Sequence, residues 1–219
     1  FARGRTRIRG GGTSRDHTER LLRMMGAPVG VGPDPQIYNP GGRLLRRGLS
    51  LQIPGDPSAA AFLQVAAALV PGSRLTIGDQ SLNPGRIGAL QVFSRCGLRV
   101  DVTPTGGSPR AADTEPTGDV TVTAGPARAF TVTADEVPGL VDELPVLAVL
   151  ATQASGETVV TGAADLRHKE SDRIAMMTRG LRSLGARIDE RPDGWRIGGP
   201  TRLRGGEPGR PLRLATAGD

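Results

Sequence analysis

The chain has 219 residues, of which 32 are Gly and 18 Pro, with 37% apolar and only 3% aromatic content. That length suits one large domain or a domain and a half; aromatic side chains are too few for base-stacking platforms, and no run of about 18 apolar residues offers a transmembrane helix. A net charge of +6 favours anionic partners, and a single cysteine, Cys96, excludes an internal disulfide framework and a multi-cysteine zinc site.

In chain order, Arg5–Thr6–Arg7–Ile8 reads as a strand and Ser14 onward as a helix carrying Leu21, Leu22 and Met25. Gly26 follows, then a short strand at Val29. The stretch from Gly30 to Gly48 is rich in Gly, Pro and Arg, with weak periodicity, and a boundary is expected near Ile53–Pro54–Gly55–Asp56. An apolar helix from Ala59 to Leu69 comes next, then a strand at Leu75–Thr76–Ile77. Asn83 and Pro84 read as the N-cap and first residue of a helix carrying Ile87, Leu90 and Phe93. Gly97 and a strand from Leu98 to Val102 follow, and Pro104 to Gly118 reads as a surface loop or hairpin tip. A second apolar helix, Leu144 to Thr152, precedes a strand at Thr158–Thr161 and a helix with Ile174, Met177, Leu181 and Leu184 at helical spacing. Gly185 and a strand at Ala186–Asp189 close the series. Gly26, Gly97 and Gly185 each stand just past the last apolar helical position, where a left-handed residue is wanted.

One plan is repeated: strand, helix, strand, helix, strand, strand. It makes an α/β protein with mixed sheets.

Three polar stretches carry candidate chemistry. In Lys169–Glu170–Ser171–Asp172–Arg173, two cations and a carboxylate would share the first turn of a helix, making an anion site with an acid–base group inside it. Spacing alone fits a solvated first turn with an intrahelical Glu–Arg pair better. Asp142 and Glu143 stand at the mouth of the apolar helix, with Pro145 in its first turn; Asp142 reads as a cap or, less commonly, as a general base. Thr13–Ser14–Arg15–Asp16–His17–Thr18–Glu19–Arg20 reads as a capping box or as a phosphate-recognising helix start. The repeat puts it and the Lys169 stretch at equivalent helix ends. Of the 28 Lys plus Arg, Lys169 is the one lysine, a compact ammonium where every other cation is a planar fork.

These strings, with Pro54–Gly55–Asp56–Pro57–Ser58, Asn83–Pro84 and Asp142–Glu143–Leu144–Pro145–Val146–Leu147–Ala148, occur in an order and spacing that resemble the 5-enolpyruvylshikimate-3-phosphate synthase family of enolpyruvyl transferases. The resemblance runs over nearly the whole chain. It implies two domains, each of three repeated units about a pseudo-threefold axis, with a cleft between them. Residues 1–53 would end the first domain and 54–219 make most of the second. The implied reaction, in chorismate and aromatic amino acid biosynthesis, moves the enolpyruvyl group of phosphoenolpyruvate to the 5-hydroxyl of shikimate 3-phosphate and releases phosphate.

By that resemblance Asp142 takes the hydroxyl proton and Glu170 handles the methylene proton. Lys169 contacts the shikimate substrate, together with Asp142, and Arg173 holds phosphoenolpyruvate. Ser14 and Arg15 lie near the shikimate phosphate. No metal or organic cofactor is implied, nor a nucleic-acid or membrane partner; a cytoplasmic monomer is expected. The sequence departs from the family pattern at Ala59, where a second serine is usual, and at His168, where a valine is usual. The family's opening Lys–Ser segment, its Gly–Thr loop and its Ser–x–Gln segment are not among these residues, and Gly218–Asp219 resembles the start of an Asp–His–Arg motif. On that reading the isolated chain has no turnover. The competing readings are the sister transferase acting on UDP-N-acetylglucosamine and, from the Arg content and a pI of about 11.0, a nucleic-acid-binding protein.

Overall fold

The computed structural model describes residues 4–9, 15–31, 36–39, 41, 50–107, 114–206 and 211–214. Ser14, Thr13, the arginines at 43, 46 and 47, and Gly218–Asp219 lie outside them.

Three units follow one another. The first holds β1 (Thr6–Arg9), α1 (His17–Met24), β2 (Gly30–Val31) and β3 (Gln36–Asn39). The second holds α2 (Pro57–Leu69), β4 (Arg74–Ser81), α3 (Gly88–Arg95), β5 (Arg99–Gly106) and β6 (Thr117–Thr123). The third holds β7 (Thr131–Val132), α4 (Leu144–Gln153), β8 (Gly156–Val160), α5 (Arg173–Ser183), β9 (Arg187–Arg191) and β10 (Gly194–Gly199). The sheet orders are β1-β3-β2, β4-β6-β5 and β7-β8-β10-β9. Each places its last strand between the two before it. In the third unit β7 and β8 are parallel and the remaining pairs antiparallel. The second unit keeps a trace of the same parallel edge, a bridge between Gly55 and Gln80. The repeat read from the sequence is therefore a repeat of topology, most complete in the third unit.

Local chemistry explains most element ends. Asp56 caps α2, accepting from the amides of Ser58 (3.1 Å) and Ala59 (3.3 Å), and Pro57 opens the helix. Ala59 thus sits in the first turn of α2. Asp172 caps α5 through the Ala175 amide at 2.9 Å. Gly26, Gly97 and Gly185 take φ of +84°, +89° and +92°, the left-handed conformation that ends a helix without a Cβ clash.

Asn83 departs from expectation. Helix α3 begins only at Gly88, and Asn83 closes a turn instead: its Oδ1 accepts from the Gly85 amide (2.9 Å) and its carbonyl from the Arg86 amide (2.8 Å). The buried carboxamide also donates to Asp16 Oδ1 at 2.7 Å, so it is committed to tertiary contacts and is not free to cap a helix. β5 and β6 pair antiparallel with Pro104 opposite Gly118, so the ends of the stretch expected as a loop or hairpin tip are strand, and residues 108–113 lie outside the described residues.

Helix α2 lies against β4 and α4, and α4 against β10 and α5. The core runs through Phe93, Leu140, Leu144, Leu147, Leu150, Ile174, Trp195 and Ile197, all fully buried. It seats the starts of α4 and α5, from which the polar groups below project.

Candidate functional site

Asp142 follows a short 3-10 turn, Val137–Gly139, and precedes α4. Leu140 and Leu144, both fully buried, pin the backbone on either side of it. Asp142 does not cap α4; Glu143 occupies the N-cap position, and neither side chain makes a capping bond. The Asp142 carboxylate turns outward into a set of cations. Arg15 Nη2 donates to its Oδ2 at 2.7 Å. Lys169 Nζ stands 3.7 Å and Arg173 Nη1 3.9 Å from Oδ1. Arg173 Nη2 also donates to Glu170 Oε2 at 2.8 Å. Three cations thus face two carboxylates, with the side chains of Asp142, Arg15 and Lys169 about one-third exposed.

Residues far apart in the chain meet here. Arg15 stands just before α1, and Lys169 and Glu170 precede α5. These last two do not share the helix's first turn: α5 begins at Arg173, after a 3-10 stretch from Ala164 to His168. The side chain of Asp172 takes the cap and Arg167 ties that carboxylate to Glu190, so the segment bends before it winds. The predicted Glu170–Arg173 pair forms nonetheless. Asp142, Lys169, Glu170, Arg173 and Arg15 come together; Ser14 lies outside the described residues.

Burial pushes the Asp142 carboxyl upward, but the Arg15 hydrogen bond and the charges of Arg15, Lys169 and Arg86 outweigh it, leaving it below the ordinary aspartate range. It therefore stays ionised at neutral pH. A depressed carboxylate stabilises the fold above its unfolded value, and that contribution is lost as pH falls through the folded value.

Behind Asp142 lies a group that sequence reasoning missed. Glu143, 1% exposed, accepts from Ser58 Oγ at 2.6 Å. Arg86 Nη2 donates to Ser58 Oγ at 2.8 Å and to Asp56 Oδ1 at 2.6 Å. Glu143 Oε2 and Arg86 Nε are buried and have no partner among the described residues. Burial, opposed by the Ser58 bond, raises the Glu143 carboxyl above its ordinary value. The sign is opposite to that of Asp142: Glu143 favours the fold below its unfolded value, and the benefit disappears as pH rises through the folded value. Glu143→Gln keeps the acceptor for Ser58 and removes the charge. Its melting temperature should match the parent in acid and exceed it at neutral pH, because only there does the parent carry a buried charge at this position. Thermal unfolding across pH checks this.

Among the described residues no group of three or more His, Cys, Asp or Glu could hold a metal ion, and no helix is long and apolar enough to cross a membrane.

The family model described as EPSP synthase (3-phosphoshikimate 1-carboxyvinyltransferase) matches residues 1–217. The chain belongs to the EPSP synthase family. A 3-phosphoshikimate 1-carboxyvinyltransferase of Limosilactobacillus fermentum is 44% identical over 200 residues, covering 90% of this chain and 45% of the relative. One from Acidithiobacillus ferrooxidans is 42% identical over 205 residues, covering 94% and 46%. The chain thus spans a little under half the length of the curated EPSP synthases it matches. The solved EPSP synthase of Acinetobacter baumannii superposes with a TM-score of 0.82 at 33% identity, over 94% of this chain and 47% of its own. The enolpyruvyl transferase NikO of Streptomyces tendae shares the fold at 22% identity, with a TM-score of 0.64 over 91% of this chain and 43% of its own. The enolpyruvyl transferase-like fold implied by the family resemblance is therefore the fold of this chain.

Proposed function

We propose that this chain forms part of an EPSP synthase active site, transferring the enolpyruvyl group of phosphoenolpyruvate to the 5-hydroxyl of shikimate 3-phosphate. The observation that carries the reading is one ionised carboxylate, Asp142, ringed by Arg15, Lys169 and Arg173. Both substrates are polyanions, and preorganised cations offset the cost of bringing them together. Asp142 accepts the proton of the 5-hydroxyl as that oxygen adds to the enolpyruvyl carbon. Glu170 delivers a proton to the methylene carbon, giving a tetrahedral intermediate; phosphate then leaves as the new methyl group returns a proton to Glu170 and the enol ether double bond is restored. Lys169 holds the shikimate hydroxyls beside Asp142. Arg173 holds phosphoenolpyruvate and fixes Glu170 at the same time. Arg15, with Ser14, serves the shikimate phosphate. In the ligand-free chain its partner is Asp142, so substrate phosphate draws it away and releases the base.

Residues 1–53 close the first domain and residues from 54 onward build most of the second, with the substrates in the cleft between them. This is supported by Arg15, from the first segment, meeting Asp142, from the other, across 127 positions of sequence. The enzyme works as a cytoplasmic monomer on small molecules, without nucleic acid.

Binding of shikimate 3-phosphate, followed by phosphorus NMR on this chain, tests the proposal against UDP-N-acetylglucosamine. The shikimate ester should bind preferentially. Lys169→Met should weaken it about tenfold or more, the loss of one charge-assisted hydrogen bond. Preference for the nucleotide sugar sinks the assignment. Tight RNA binding with a steep salt dependence would point to the nucleic-acid reading instead.

A further inference from the structure

We propose that Arg86, Ser58 and Glu143 are positioning residues for Asp142: together they lock the start of α2 to the start of α4 and fix a guanidinium charge behind the carboxylate. The inference deepens the reading of Asp142 as the base and rests on it.

The geometry is a short chain of polar contacts. One nitrogen of Arg86 reaches both the α2 cap, Asp56 (2.6 Å), and the Ser58 hydroxyl (2.8 Å). That hydroxyl has a single proton, and it goes to Glu143 at 2.6 Å. Glu143 is the residue next to Asp142 in the chain, between the fully buried Leu140 and Leu144. A displacement of Ser58 is therefore transmitted to Asp142 through one peptide unit.

Arg86 has few alternatives. Its side chain is 14% exposed. The turn that carries it is fixed at both ends: Asn83 is buried and bonded to Asp16, and Gly88 approaches Leu140 so closely that a Cβ there would lie 2.9 Å from the leucine Cβ. A cation held this way does not swing toward a substrate, as Arg15, Lys169 and Arg173 can. Its charge is a constant part of the field at Asp142.

The groups facing Asp142 come from every neighbouring element. Arg15 arrives from before α1, Lys169 and Glu170 from before α5, Arg173 from α5 itself, Arg86 from the turn before α3, and Glu143 from α4. Glu143 carries its proton in the acid range where Asp142 titrates, since burial raises its carboxyl while the cations around Asp142 hold that one down. In that range it acts as a strut and contributes no charge.

The test is a carbon-13 NMR titration of the Asp142 carboxyl in the ligand-free chain, its resonance assigned by its loss in Asp142→Asn. Arg86→Gln should raise the titration midpoint toward the ordinary aspartate range, and Arg86→Lys, which keeps the charge, should hold it near the parent. Glu143→Gln should leave it in place, and Ser58→Ala, which cuts the strut, should raise it. If Arg86→Gln does not fold, Ser58→Ala and Arg86→Lys decide the matter. A midpoint unmoved by Arg86→Gln or, failing that, by Ser58→Ala overturns the proposal. So does a Glu143→Gln shift as large as that of Arg86→Gln. Neither result touches the base assignment, which stands or falls on substrate binding and turnover.

Discussion

Asp142→Asn lowers kcat by about a thousandfold when these residues replace the matching segment of the Limosilactobacillus fermentum relative, while KM for the phosphorylated substrates does not rise. The first half of this expectation follows from general base catalysis, which contributes about a hundredfold to ten-thousandfold when a positioned group takes a proton in the transition state. Asn is isosteric and cannot take it. The second half follows from the local charge. Arg15, Lys169 and Arg173 all lie within 4 Å of Asp142, so neutralising it leaves their attraction for anions less opposed. A merely structural carboxylate would behave differently: its loss would disorder the cations and raise KM. Steady-state phosphate release separates the two cases. Turnover within tenfold of the parent would remove Asp142 from the role of base.

Trp195→Ala costs the fold about 3–5 kcal/mol, the usual range for deleting a fully buried large aromatic side chain. The ring, on β10, is 0% exposed. Its Nε1 donates to the Ile174 carbonyl at 3.2 Å and the Thr178 hydroxyl at 3.1 Å, both on the first turns of α5. The tryptophan therefore fills the core and also holds the helix that presents Arg173. For a domain of this size such a loss lowers the melting temperature by about 10 °C. Trp195→Phe separates the two contributions: it keeps most of the packing and forfeits the hydrogen bonds, at about 1 kcal/mol. Urea unfolding of both variants gives the comparison, and near-equal losses would mean that the indole N–H, not the ring, dominates.

The repeat was legible because its signals are local. Three-and-four spacing in Ile174, Met177, Leu181 and Leu184 marks a helix, and Gly185 marks its end, without reference to the rest of the chain. The site was legible only in part. Asp142, Lys169, Glu170 and Arg173 stand in short strings whose order carries a family resemblance. The bond from Arg15 to Asp142 spans 127 positions and has no local signature. Arg86 is one arginine among many, in a turn that read as the start of a helix. Glu143 looked like a twin of Asp142, because adjacency in sequence says nothing about which carboxyl the backbone turns inward. Burial raises Glu143, while the cations around Asp142 hold that carboxyl down.

Lys169 is the only lysine in these 219 residues, and its side chain is 34% exposed beside Asp142. Amine-directed chemistry on lysine side chains therefore has a single address in these residues, beside Asp142. A reagent that acylates or reduces onto primary amines reads out occupancy there directly, with no need to sort the signal from a surface covered in competing ammonium groups. The same bias makes tryptic mapping unambiguous: every other tryptic cut follows an arginine, so loss of cleavage after Lys169 alone reports modification.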